Sequence, residues 1–245
     1  MDQNRFLEAC KTGDIEVLKS LDYSNIDIHE DEEGAFRWAC SNGYLDVIQF
    51  LLTLESEYGR INIHARDEHA FQLACGHSHF DVVKLLLTME KTHGQIDIHS
   101  WNDYAFRMAC VVGNLDILKV LLSLEPERGR IDIHVDFDAA FRYACSNNYL
   151  VVTKFLLALK ETHGHINIHV GNDTAFTNAA INMKYLLIQH DPNYNWKKVK
   201  GYKGYRKKLN RIVDFLVVLH KKMIHLRTDI LELNVIGIVK EFLLG

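Results

Sequence analysis

Apolar residues fall at helical spacing in two short runs, and the pair of runs recurs every 35 residues. In YLDVIQFLLTLE (44–55), Leu45, Ile48, Leu51 and Leu52 share one face, which predicts an amphipathic helix. A shorter helix is predicted just before it, from Ala35 to Asn42, with Phe36, Ala39 and Cys40 on one side. The small residues there allow neighbouring helices to approach closely. Gly43, Gly113 and Asn148 follow the first helix as left-handed ends, a conformation that Gly and Asn favour. Ser78 breaks that pattern, so local strain or a shifted turn is expected in its copy. Gly59, Gly94, Gly129 and Gly164 mark a second turn.

Five segments align without gaps. His29, His64, His99, His134 and His169 each end an Ile-x-Ile-His motif. Ala-Phe follows at 35–36, 70–71, 105–106, 140–141 and 175–176. Ala-Cys follows at 39–40, 74–75, 109–110 and 144–145, with Ala179-Ala180 in the last copy. Leu-Leu closes the unit at 51–52, 86–87, 121–122 and 156–157. Ala9-Cys10 with GDIEVLKSL forms a shortened first copy. Repetition at this period indicates an all-α solenoid of helix-turn-helix units. Glu33, Glu68, Asp103, Asp138 and Asp173 recur two residues before Ala-Phe, where a carboxylate is expected to cap the helix start.

The pattern AFRWACSNGYLDVIQFLL resembles the ankyrin repeat Thr-Pro-Leu-His-x-Ala-Ala-x-x-Gly-His-x-x-Val-Val-x-x-Leu-Leu. The resemblance covers about residues 4–180, in five to six copies. Thr-Pro is absent, and Arg37, Gln72, Arg107, Arg142 and Thr177 stand where the family has His. The unit is two residues longer than the usual repeat. The IxIHxxxxxAFxxAC variant is similar to ankyrin proteins encoded by amoeba-infecting giant DNA viruses. The resemblance implies a solenoid with short extended turn fingers, whose tips and first-helix face line a concave protein-binding surface. A viral protein meeting host partners in the host cytoplasm is implied in the same way.

The fifth unit loses several residues of its second helix, as AAINMKYLL. Turns are read at Asp191-Pro192 and Gly201–Gly204, and an amphipathic helix from Tyr205 to His225 with Leu209, Ile212, Val213, Leu216, Leu219 and Met223 inward. NVIGIVKEFLL (234–244) resembles a repeat's second helix. The organisation expected is a repeat array over 1–188 and a basic linker with helical C-terminal cap over 189–245.

The chain is 48% apolar and 24% charged, ordinary for a soluble protein. MDQNRFLEACKTGD has no apolar signal region, and IVDFLVVL (212–219) is too short to span a bilayer. Neither a signal peptide nor a membrane partner is expected. The formal charge of −4 is unevenly spread. Residues 1–188 hold 16 Lys and Arg against 27 Asp and Glu; residues 189–245 hold 12 against 5. An acidic body therefore carries a basic tail.

The histidine ladder and the cysteines look reactive until the repeat is considered. Metal ligands must converge at about 2.0–2.1 Å on one ion, whereas equivalent atoms of stacked helices lie about 10 Å apart. The five histidines are therefore expected to hydrogen-bond backbone at the turns. Cys10, Cys40, Cys75, Cys110 and Cys145 share one repeat position, too far apart for disulfides, which need Cα atoms about 4.4–6.8 Å apart. Unpaired thiols suit a reducing, intracellular compartment. No catalytic residue, metal or cofactor is expected, and the reading is a non-enzymatic scaffold.

What fails to repeat is freer to recognise a partner. Trp38, Leu73, Met108 and Tyr143 share one first-helix position and read mainly as packing between repeats. EDEEG (30–34), ARDEH (65–69), SWNDY (100–104), VDFDA (135–139) and VGNDT (170–174) vary within a regular frame. The partner-binding candidates are Arg37, Arg66, Glu68, His69, Trp101, Asn102, Tyr104, Arg107, Phe137, Asp138 and Arg142. A second reading is nucleic-acid or acidic-surface binding by segment 194–211. There Tyr194, Trp196, Tyr202 and Tyr205 interleave with Lys197, Lys198, Lys200, Lys203, Arg206, Lys207, Lys208 and Arg211. A third is self-association of basic tail with acidic array.

Overall fold

A computed structural model describes residues 2–225. They are helices joined by tight turns, with no strand among the described residues. The chain divides into two compact units, Met1–Val135 and Asp136–Gly245.

In the first unit, α1 (Asp2–Thr12), α3 (Glu30–Asn42), α6 (Ala65–Gly76) and α8 (Ser100–Val112) are first helices, each packed on the next. Their partners are α2 (Ile15–Ser20), α4 (Leu45–Thr53), α7 (Phe80–His93) and α9 (Leu115–Ser123). Short helical turns, α5 (Glu55–Tyr58) and α10 (Glu125–Arg128), extend α4 and α9. Phe36, Phe71 and Phe106 are fully buried, and Ala39, Cys40, Ala74, Cys75, Ala109 and Cys110 lie in the tight seams between first helices. Burying each phenylalanine contributes about 1.5–3 kcal/mol. On α4 the buried residues are Val47, Ile48 and Leu51. Leu45 and Leu52, expected inward, are only half-buried, because Leu45 opens the helix and both lie at the edge of its buried face.

Gly43 and Gly113 end their helices in left-handed conformation, at φ 75° and 77°. Ser78 takes the same conformation at φ 68°. The turn is not shifted: His79 N–H donates to Ala74 O at 2.9 Å, as Tyr44 does to Ala39 at 3.0 Å. The strain stays local, with Asn114 Nδ2 donating to Ser78 Oγ at 2.5 Å.

The second unit holds α11 (Val135–Ser146), α12 (Leu150–Ala158), α13 (Lys160–His163), α14 (Val170–Thr177), α15 (Ile181–His190) and α16 (Tyr202–His225). Despite its missing residues, α15 forms a second helix and buries Met183 and Leu187. Gly201 makes the expected turn, but Gly204 lies inside α16. Leu209 and Ile212 are half-buried on α16, whereas Val213, expected inward, is 41% exposed. The segment 234–244 lies outside the described residues. Among the described residues no helix is long and apolar enough to cross a membrane.

Candidate partner-binding surface at the turn tips

Each first helix is entered through a turn of opposite hand. Asp31, Glu32 and Glu33 have φ of 56°, 50° and 64°, one turn of left-handed helix built from non-glycine residues. The same turn recurs at Arg66–Asp67–Glu68, Trp101–Asn102–Asp103, Asp136–Phe137–Asp138 and Gly171–Asn172–Asp173. A left-handed residue with a Cβ costs about 1–2 kcal/mol, so each tip needs external support. Three side chains supply it, except in the fifth copy, where Thr177 takes the third place and donates to Thr174 O at 3.3 Å.

The third residue of the turn is a buried carboxylate. Glu33 Oε1 accepts from His29 Nδ1 at 2.9 Å and from the Asn62 backbone N–H at 3.0 Å. Glu68 Oε1 does the same with His64, at 2.8 Å, and Asp97, at 3.0 Å. Asp103 divides the work, Oδ1 taking His99 at 2.6 Å and Oδ2 the Asp132 amide at 3.0 Å. The expected helix cap is therefore corrected. These carboxylates reach the amide 29 residues on, in the next repeat, because the left-handed turn aims them away from their own helix.

The histidine is the second support. Its Nε2 faces a backbone carbonyl of the following turn, Tyr58 O, His93 O or Arg128 O, at 2.9–3.0 Å. A carbonyl only accepts, so Nε2 donates, while Nδ1 faces the carboxylate. Partial burial pushes these rings' pKa down, but the hydrogen bonds and the carboxylates outweigh it, and His29, His64 and His99 are raised above the usual histidine value. The predicted backbone bonding of the ladder is found here. Gly59, Gly94 and Gly129 adjoin it, since a Cβ there would come within 3.0–3.5 Å of the histidine Nε2.

The third support is the residue standing in the family's histidine place. Arg37 donates from Nε to Glu32 O at 3.0 Å and from Nη2 to Asp31 O at 2.7 Å. Arg107 makes the same fork to Asn102 O and Trp101 O, and Arg142 to Phe137 O and Asp136 O. Gln72 makes a single bond to Asp67 O at 2.8 Å. The guanidinium plane bridges two adjacent carbonyls, a task suited to a rigid fork of donors.

Of the sequence candidates, Arg37, Glu68 and Asp138 are buried, and Arg107 and Arg142 half-buried, all inside this frame. His69 is half-buried against Arg37 Nη1 at 3.1 Å, and burial, then Arg37 and Arg66, lower its pKa. Tyr104 is half-buried with the Arg107 guanidinium 5.5 Å above its ring. Arg66, Trp101, Asn102 and Phe137 are exposed, Trp101 by 65% and Phe137 by 78%. Trp38 and Tyr143 are each 46% exposed, and Lys11 Nζ stands 5.2 Å from the Trp38 ring. Arg66 ties the first two tips together, binding Asp31 Oδ1 at 2.5 Å and Glu32 Oε1 at 3.5 Å. Trp101 Nε1 donates to Asp67 Oδ2 at 3.3 Å and joins the second tip to the third. Glu32, Asn62, His64, Arg66, Asp67 and Trp101 line an open cleft along these tips.

All five cysteines are buried and unpaired. Burial pushes Cys10 and Cys145 up to about 12 and raises Cys40, Cys75 and Cys110 as well. Among the described residues no group of three or more His, Cys, Asp or Glu is placed to hold a metal ion.

The basic-aromatic segment separates largely by residue type, with Tyr194, at 38% exposed, the exception among the aromatics. Trp196 and Tyr205 are buried, Tyr202 is half-buried, and Tyr194 stacks on His169 at 3.6 Å between ring centroids. The eight cations all remain exposed.

Right-handed helix pairs, each entered through a protruding tip, define a helical repeat protein. Residues 6–100 match the family model for ankyrin repeats, in three copies, and this stretch is an array of ankyrin repeats in an all-α solenoid. Ankyrin repeats are in general protein–protein interaction modules. No curated protein matches the chain.

Proposed function

We propose that the protein is a non-enzymatic interaction module that binds a protein partner through its turn tips. One observation carries this reading. Every tip repeats the same costly left-handed turn, while the two solvent-facing residues of that turn change from copy to copy: Asp31-Glu32, Arg66-Asp67, Trp101-Asn102, Asp136-Phe137, Gly171-Asn172. Strain held at a repeated position, with variable residues mounted on it, suits display rather than stability. Trp101 and Phe137 are the aromatic anchors, since exposed Trp and aromatic residues dominate interface energetics. Asp31 and Glu32 favour basic residues on the partner facing the first tip. The variant's resemblance to giant-virus proteins makes host proteins the pool in which to look.

Affinity capture with the full chain tests this. Trp101→Ala and Phe137→Ala, single and combined, are expected to lose a partner that wild type retains. Undiminished capture by the double variant defeats the tip reading.

A further inference from the structure

We propose that the outer face of residues 197–211 binds the phosphate backbone of a nucleic-acid duplex, without reading its sequence. The charge there is dense. No acidic residue lies between Asp191 and Asp214, and eight cations do. Among the described residues, none of the eight has a carboxylate within 4.0 Å. The crowding is felt nearby: burial and then the Lys208 charge lower the pKa of Lys184.

The cations sit on anchored backbone. Trp196 and Val199 are buried, and Trp196 Nε1 donates to Asp191 O at 2.7 Å. The Trp196 ring lies 4.8 Å from Phe176, and Tyr205 meets Phe176 edge-on at 6.1 Å. On α16, Tyr205, Leu209 and Ile212 form the inner side. Lys203, Lys207 and Arg211 are exposed at i, i+4 and i+8, on one line with about 6 Å of rise between members.

The occupant follows from what this face lacks. Single strands are held largely by base stacking on aromatics, and within 197–211 Tyr205 is buried and Tyr202 half-buried. A protein interface draws its energy from a buried aromatic or apolar centre, and the outward line has none. Insertion into a lipid surface needs an apolar stripe beside the cations. Exposed Val213 and Phe215 are two residues apart on opposite flanks of α16, and Asn210 and Asp214 occupy the outward face. What remains is attraction to a regular array of phosphates, which releases counterions and is steeply salt-dependent.

Fluorescence anisotropy of the full chain with a labelled 20-base-pair duplex tests this between 50 and 200 mM salt. Roughly five phosphate contacts give a slope of log K against log salt near −4.5, a fall of about 500-fold over that range. Two unrelated duplex sequences are expected to bind alike. The exposed triple variant Lys203→Gln/Lys207→Gln/Arg211→Gln is expected to reduce the slope by about 2.7 with an unchanged thermal unfolding curve. Absence of duplex binding at 50 mM salt overturns the proposal, as does a triple variant that binds like wild type. Binding to phosphatidylserine vesicles, or dimerisation in sedimentation, with the duplex left free also overturns it.

Discussion

His99 and Asp103 meet at 2.6 Å, and that contact ties together three pieces of chain. The carboxylate holds the ring and, through its other oxygen, the amide of Asp132. The ring holds the carbonyl of Arg128. A tip, its own Ile-x-Ile-His segment and the next repeat's turn are thus fixed by two side chains, which explains why both recur.

Removing the carboxylate strands the other groups. Asp103 is 5% exposed, so water does not readily replace it. Asp103→Ala is expected to destabilise the chain by about 2–4 kcal/mol, seen as a lower urea midpoint with unchanged m-value. Glu68→Asp is a sharper comparison. Glu68 serves both donors with Oε1 and leaves buried Oε2 without a partner, whereas Asp103 uses both oxygens. Shortening Glu68 is therefore expected to cost less than about 1 kcal/mol, because it gives the second oxygen a donor. A loss as large as that of Glu68→Ala would refute this account of the clamp.

The clamp sets the sign of a pH dependence. His29, His64 and His99 have folded pKa values raised above the unfolded histidine value of about 6.5. The folded state then binds more protons than the unfolded one between those values. Their stabilisation is complete below the unfolded pKa and disappears as pH rises through the folded ones. His69 opposes this, since its lowered pKa stabilises above about 6.5 and is lost as pH falls through its folded pKa. His69→Gln is accordingly expected to steepen the loss of stability from pH 6 to pH 8. Ring-proton NMR titration checks each histidine separately; His64 titrating below His69 contradicts the assignment.

The left-handed tips predict a pair of substitutions with opposite effects on stability. Asn102 sits at φ 56°. Glycine adopts that conformation without a Cβ penalty, so Asn102→Gly is expected to gain up to about 1 kcal/mol of stability. Arg107→Lys is expected to lose about 1–2 kcal/mol, since an ammonium cannot fork across the Trp101 and Asn102 carbonyls. Thermal unfolding of the two variants gives shifts of opposite sign on this view. Equal shifts would show that the turn is unstrained.

The repeat, the helix pair and the left-handed ends at Gly43 and Asn148 were all legible in the sequence, because spacing and glycine placement report them directly. The frame of the tips was not. Asp31, Glu32 and Glu33 carry no local mark of positive φ, which arises from hydrogen bonds to residues as distant as Asn62. The arginines were misleading for a related reason. Arg37 resembles a surface charge in the sequence, but its guanidinium is consumed by carbonyls that become available only after the turn forms. Exposure of Trp101 and Phe137 was legible, since neither recurs at its position and core residues do. In the tail, composition alone could not separate aromatics that pack from cations that face solvent.

Among the described residues no further Ile-x-Ile-His segment follows His169, and residues 191–196 take the place of one. His169 Nδ1 binds Asp173 at 2.6 Å as in other copies, but its Nε2 faces the Asp191 carboxylate at 3.3 Å instead of a carbonyl. In place of a following amide, Tyr194 O–H donates to Asp173 Oδ2 at 3.2 Å, and the Tyr194 ring covers His169. Trp196 closes over Phe176. Residues 191–196 thus imitate the contacts of a following tip. Tyr194→Phe keeps the ring and removes one hydrogen bond, so it is expected to cost about 1 kcal/mol. Trp196→Ala opens the seam over Phe176 and is expected to cost about 3–5 kcal/mol. Because each repeat is stabilised mainly by its neighbours, the loss should start at the end of the array. Hydrogen exchange is then expected to accelerate in α14 and α15 of Trp196→Ala while α3 and α6 stay protected. Uniform acceleration along the chain would show that this segment acts on global stability and is no local cap.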